Sequence, residues 1–158
     1  PQDTSSAASD VYKRQGYNAN QSKLAFNSGG LFGQGFLKGT QTKGDFIPEQ
    51  HSDYIFATIG EEWGFFGSLF VTLLFIVLLL RMTERTIKQT SLFYKIFSYS
   101  VIAIIFFHFT INITMVIGLF PTVGIPLPYI SYGGSSLLSF MILFTGYLKI
   151  ESQKKSKW

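Results

Sequence analysis

Charged residues vanish from the chain in two long runs. None occurs from Trp63 to Leu80, and no Asp, Glu, Lys or Arg occurs from Ile96 to Leu148. A helix needs about 20 predominantly apolar residues to cross a bilayer. The first run, extended through a snorkelling Arg81 to Met82, therefore predicts a transmembrane helix over 63–82. The second run is punctuated by Pro121, Gly124, Pro126, Pro128, Gly133 and Gly134, which divide it into helices over about 96–119 and 135–148. Gly64 and Gly67 mark a bend or a close helix contact near the start of the first helix. His108 and Asn112 share one face of the second at i, i+4, a spacing that reads as a hydrogen-bonded helix contact before it reads as a ligand set. The intervening loop, 120–134, is apolar yet non-helical. At membrane depth such backbone must be covered by protein or line a wet cavity.

Residues 16–62 form a polar head. Gln21 to Phe26 can make two helical turns with Tyr17, Leu24 and Ala25 on one face. The glycines of the Asn27–Gly39 stretch exclude a stable helix there. Its apolar residues, Leu31, Phe32, Phe36 and Leu37, still need a surface, either the membrane interface or other helices. Pro48 suits a first helical position and Ser52 an N-cap, so Asp53 to Glu62 reads as a helix with Asp53 at the positive end of its dipole. Residues 1–15 are small, polar and aperiodic and contain no apolar h-region. They read as a non-native or disordered leader rather than a signal peptide.

Composition agrees with a membrane protein. Only 14% of the 158 residues are charged, well below the ~25% of ordinary domains, and the mean hydropathy is +0.27. The fold class expected is all-α and integral to a membrane, with three transmembrane helices plus a large irregular, short-helical extracytoplasmic loop. Membrane lipids are therefore among its partners. There is no cysteine, which excludes disulfides and thiol chemistry. The net charge of +4 comes without any basic, aromatic-interleaved stretch, so no nucleic-acid partner is expected. The charge is distributed by side. Arg81, Arg85, Lys88 and Lys95 follow the first span, and Lys149, Lys154, Lys155 and Lys157 follow the third, with residues 151–158 as a basic tail. The positive-inside rule makes both regions cytoplasmic. The head and the Pro/Gly loop then face outward together.

The head concentrates titratable groups. Glu49 and Asp53 share a face if helical; Glu49, His51 and Asp53 share one if extended. Either arrangement suits a divalent cation or carboxylates with split pKa values, though the spacing is no zinc signature. A lone carboxylate acting as general base is the simplest chemistry; solvated loop acids are the plain alternative. Gly30-Leu31-Phe32-Gly33 matches no nucleotide fingerprint, and no Ser-His-Asp relay or nucleophile elbow occurs.

Three motifs in order carry a family resemblance. Gln21-Ser22-Lys23 with Ser28-Gly29-Gly30, Gly33-Gln34-Gly35 and Gly39-Thr40-Gln41 comes first. Pro48-Glu49-Gln50-His51-Ser52-Asp53-Tyr54-Ile55-Phe56-Ala57 with Gly60-Glu61-Glu62-Trp63-Gly64 comes next, then Leu119 to Ser136. Over residues 16–150 the chain resembles the SEDS proteins (shape, elongation, division and sporulation), on the RodA-like side. Asp45 stands where the family often has Glu, and Gln50 replaces an Arg frequent in RodA-like members.

The resemblance implies a ten-span peptidoglycan glycosyltransferase, of which this chain supplies the last three spans. It would polymerise lipid II in the bacterial cytoplasmic membrane with a class B penicillin-binding protein. It implies Asp53 as catalytic general base. Lys23, Glu49, His51, Ser131, Gly133 and Gly134 become substrate-binding candidates. Departure of the pyrophosphate would be helped by cations, either Lys/Arg or a divalent metal (Mg or Mn); no metal ligand is assigned, Glu49 and Asp53 being the candidates. The missing spans would line the rest of the cavity, so this chain alone is not expected to be active. A lipid II flippase or a non-catalytic scaffold for the penicillin-binding protein are the rival functions.

Overall fold

The computed structural model describes residues 21–35, 53–121 and 123–155. The leader 1–15, Pro48, Ser52, Glu49 and His51 lie outside the described residues. Within them all regular structure is helical: α1 (residues 21–28), α2 (Ile55–Ile87), α3 (Leu92–Ile117) and α4 (Gly134–Lys155).

Two of these helices, α2 and α3, are long and apolar enough to cross a membrane. Both are apolar all round, the pattern of a helix with no water-facing side. In α4 the apolar stretch is thinned by serines and ends at Leu148, before Lys149 and Glu151. A short connection makes α2 and α3 antiparallel neighbours. They pack through Phe75 and Phe109, whose rings stack 4.5 Å apart. The buried cluster continues through Met82, Val101, Ile105, Met115 and Val116 to Leu127 of the loop and Phe140 and Tyr147 of α4. At the other end of the bundle Tyr147 donates to the Met82 carbonyl, 3.0 Å, and Arg85 pairs with Glu151.

The helix boundaries differ from the sequence pattern at two places. The head helix and the first apolar run meet at a kink and together make up α2, which continues past Met82 to Ile87. No proline or glycine lies between Met82 and Ile87, so Arg81 and Arg85 ride on the last turns of the helix. The start also moves. Tyr54, not Ser52, is the N-cap, and no acid lies in the first turn. Asp53 is therefore outside the helix, and the dipole reading that placed it at the helix end is corrected. The physical reason is that Asn112 takes the Asp53 carbonyl, 2.8 Å, and holds the chain in a turn there.

The expected bend is real and is a full break. Gly64 has φ 68 and ψ −162 inside α2, a region essentially reserved for glycine. In an unbroken helix Phe65 and Phe66 would donate to Glu61 and Glu62. Here those carbonyls instead accept the N–H groups of Gln34 (2.9 Å) and Gly35 (3.1 Å), while Phe65 and Phe66 donate to Gly30 (2.9 Å) and Leu31 (3.3 Å). The glycine-rich stretch thus supplies both halves of the two missing helical hydrogen bonds. It needs glycine because the backbones touch: a Cβ at Gly33 would collide with the Glu62 carbonyl. α1 is seated beside it, with Ala25 wholly buried and Phe26 stacked on Phe56.

Candidate functional site

The start of α2, the end of α3 and the start of α4 share one end of the bundle, because consecutive helices alternate in direction. Asp53, Lys23 and the Pro/Gly loop gather there. Arg81, Arg85 and Lys149 belong to the opposite end.

Asp53 is half-buried in the turn before α2. Its neighbour Tyr54 is buried, and the Tyr54 carbonyl accepts from Ala57, 2.9 Å. Asn112, wholly buried on α3, donates to the Asp53 carbonyl at 2.8 Å and to the Ile125 carbonyl at 2.7 Å. The pair His108 and Asn112 is therefore not simply a contact between helices. Asn112 serves two non-helical segments, while His108 packs edge-on against Phe140, ring centroids 5.0 Å apart. The turn is held so that the Asp53 carboxylate faces Gly124: a Cβ there would lie 3.0 Å from Oδ2.

Lys23 approaches the same end from α1. α3 stops at Gly118, in the left-handed region at φ 79 and ψ 25. Gly118 N–H donates to Met115 O and Leu119 N–H to Thr114 O, the paired bonds of a Schellman ending. The Lys23 side chain lies directly against Gly118, close enough that a Cβ would collide with Cε and Nζ. A cation at a helix C-terminus is stabilised by the helix dipole, so the fold holds a positive charge on the same side as Asp53.

The later motif residues are organised differently. Ser131 N–H donates to Leu127 O (3.1 Å), and its hydroxyl accepts from Leu127 N–H (2.7 Å), closing the loop on itself. The Gly133 carbonyl accepts from Leu137 N–H and Ser136 Oγ, both 3.0 Å, starting α4. Gly134 has open space at its α-carbon. Glu49 and His51 lie outside the described residues. Among the described residues no three metal-ligating side chains gather.

Three features escaped the sequence reading. Asn112 as a link between segments could have been suspected from the loop: prolines strip it of donors, and an apolar helix offers few side chains able to satisfy its carbonyls. Glu61 is wholly buried and engaged in a polar interaction, one turn before the Gly64 break. Tyr129 adopts φ 65, and burial pushes its phenol above the usual tyrosine range.

The chain is similar to known proteins over most of its length. A sequence model of the cell cycle protein family grouping FtsW, RodA and SpoVE matches residues 3–156. The peptidoglycan glycosyltransferase MrdB of Escherichia coli K12 is 41% identical over 140 residues, 89% of this chain and 38% of the relative. A probable peptidoglycan glycosyltransferase FtsW of Tolumonas auensis is 40% identical over 145 residues, 89% of this chain and 37% of its own length. A chain from a solved structure on the structural coordination of polymerization and crosslinking by a peptidoglycan synthase complex superposes with a TM-score of 0.71 at 24% identity. That match covers 87% of this chain and 38% of the other. This chain thus spans well under half the length of the relatives it matches.

Proposed function

Because this chain belongs to the FtsW, RodA and SpoVE family of cell cycle proteins, we propose that it is the C-terminal part of a peptidoglycan glycosyltransferase that polymerises lipid II. The reading includes three spans, α2, α3 and α4, closing a ten-span bundle in the bacterial cytoplasmic membrane. The end carrying Asp53 and the Pro/Gly loop faces outward, and the C-terminus lies in the cytoplasm. A class B penicillin-binding protein is the partner, with service to wall elongation, rod shape or division.

The observation that carries the proposal is the Asp53 carboxylate, held beside the Pro/Gly loop at the end of the bundle where Lys23 is also anchored. Asp53 takes the proton from the attacking sugar hydroxyl of one lipid-linked disaccharide. The freed oxygen forms a bond to the anomeric carbon of the other chain, with inversion. The bond from that carbon to the polyprenyl pyrophosphate breaks, and its electron pair leaves with the pyrophosphate. Lys23 offsets the charge that develops there. Glu49 and His51 shape the field of Asp53 or contact the pyrophosphate, and Ser131, Gly133 and Gly134 form the loop that borders the substrate. A bound Mg or Mn would supply further positive charge for the leaving group. Among the described residues no three ligands gather for it; Glu49 and Asp53 are the residues that would hold it, and no step above depends on it.

The test is polymer formation from purified lipid II by the full-length protein with its partner. Asp53→Ala is expected to lower turnover about 10²- to 10⁴-fold; unchanged turnover would end the general-base assignment. Lipid II crossing vesicles without polymer would favour a flippase. A scaffold would do neither. Asn112 is occupied by Asp53 and Ile125, which weakens the polar path that a flippase would need.

A further inference from the structure

The geometry points to Asn112 as the positioning residue that fixes the distance between the Asp53 carboxylate and the Pro/Gly loop. This inference rests on the reading of Asp53 as base, but its geometry can be tested separately.

Asn112 is wholly buried on α3, and its Nδ2 reaches two carbonyls from distant parts of the chain. One is that of Asp53, 59 residues away; the other is that of Ile125, 13 residues away. Both partners can only accept, so the orientation of the amide is set by chemistry: the NH2 group must face them. Few side chains can replace it. Aspartate has no donor when ionised, glutamine is longer by a methylene, and leucine fills the space with no donor. The Ile125 carbonyl cannot be served by a turn bond from the residue three along, because Pro128 has no N–H.

The same choice carries a cost. With both N–H groups committed, Oδ1 is buried without a hydrogen-bond partner among the described residues. A leucine would avoid that unmet acceptor but would take the donor from the Asp53 and Ile125 carbonyls. What asparagine gives in return is register. Asp53 and Ile125 hang from one nitrogen, and Gly124, next to Ile125, thereby meets the carboxylate at 3.0 Å from its Cβ position to Oδ2. Asn112 touches neither reacting sugar. It acts through the residue that does, and through the loop wall opposite.

This chain has no cysteine, so in a full-length protein whose remaining cysteines are replaced by serine an engineered pair reads this geometry without background. The Asp53 Cγ lies 3.9 Å from the Gly124 Cβ position, near where a cysteine sulfur would sit. In the full-length protein in membranes, Asp53→Cys with Gly124→Cys should therefore form an intrachain disulfide under mild oxidation. Adding Asn112→Leu should lower the cross-linked fraction at least about fivefold, as the two segments lose register. Asn112→Ser, smaller and able to donate once, guards against misfolding. Thermal midpoints confirm that each variant tested is folded, and a folded Asn112→Ser should cross-link less than the parent.

With Asp53 and Gly124 intact, Asn112→Leu should lower kcat about 10²-fold while KM stays within about twofold, because misplacement penalises chemistry more than binding. Cross-linking that survives in both folded Asn112 variants overturns the proposal. So does a cross-link lost with kcat unchanged, provided Asp53→Ala is inactive. If Asp53→Ala turns over normally while Asn112→Leu still abolishes the cross-link, the base assignment fails and the clamp stands.

Discussion

The Asp53 carboxylate and Gly124 are separated by little more than the space of a methyl group, with 3.0 Å between Oδ2 and a Cβ built on Gly124. Gly124 also has φ 66, which side-chain-bearing residues adopt at a cost. Gly124→Ala should therefore push the carboxylate or the loop aside. The expected outcome is a 10- to 100-fold fall in polymerisation by the full-length protein, the order of loss that a displacement of about 1 Å produces, with lipid II affinity little changed. A normal rate would show that the loop yields freely.

Lys23 is anchored against Gly118 at the end of α3. If its charge meets the departing pyrophosphate, Lys23→Met should lower kcat on the order of 10²-fold. Lys23→Arg should restore part of it, since the charge is kept while the shape differs. Equal loss in both would assign Lys23 to packing instead.

Gly64 and Gly134 make opposite forecasts for stability. Gly64→Ala puts a Cβ into a glycine-only conformation and onto Gly33 N and Leu31 O. A cost of about 1–3 kcal/mol follows from the backbone strain alone, visible as a lower unfolding midpoint in detergent. Gly134→Ala meets nothing within 4 Å and stands at the start of α4. It should leave the midpoint unchanged or raise it, with a gain of about 0.4–1 kcal/mol from reduced freedom of the unfolded chain.

Tyr147→Phe removes the 3.0 Å bond from α4 to the Met82 carbonyl. Interhelical bonds of this kind average about 0.6 kcal/mol in membranes. Met82 O retains Thr86 Oγ1 at 2.8 Å, so the carbonyl is not orphaned and the loss should stay near that size. A drop of several kcal/mol would mean that α4 depends on this contact far more than its geometry implies.

Chelation addresses the proposed cation. If Glu49 and Asp53 share Mg or Mn, EDTA should slow polymerisation and added Mg or Mn restore it. Glu49→Gln should raise the metal concentration needed for half-maximal rate, because a carboxylate ligand is lost. A rate indifferent to EDTA would remove the metal from the scheme.

Much of this was readable in the residues. Long uncharged runs have few physical outcomes, and the helices α2 and α3 follow from them. Gly64 announced a bend because glycine inside an apolar helix marks broken or crowded backbone. Asp53 could be singled out by its motif, but its setting could not. The Ser52 cap was a sound local expectation, and it lost to Asn112, which lies 59 residues away from Asp53 and left no local trace. Lys23 against Gly118, and Gly124 against Asp53, are likewise meetings of segments far apart in sequence. Such pairs depend on how helices dock, which no window along the chain contains.

The exchanged bonds at Gly64 have a mechanical consequence. Gln34 and Gly35 stand in for the donors that Glu61 and Glu62 lost, and Gly30 and Leu31 for the acceptors that Phe65 and Phe66 lost. The break is therefore a spliced joint rather than a slack hinge. A tilt of the long apolar arm of α2 would reach the glycine-rich stretch through the two hydrogen bonds of Phe65 and Phe66, and from there α1, which carries Lys23. Torque applied to the arm by a neighbouring helix would arrive at the charged end of the bundle as a displacement of that lysine relative to Asp53.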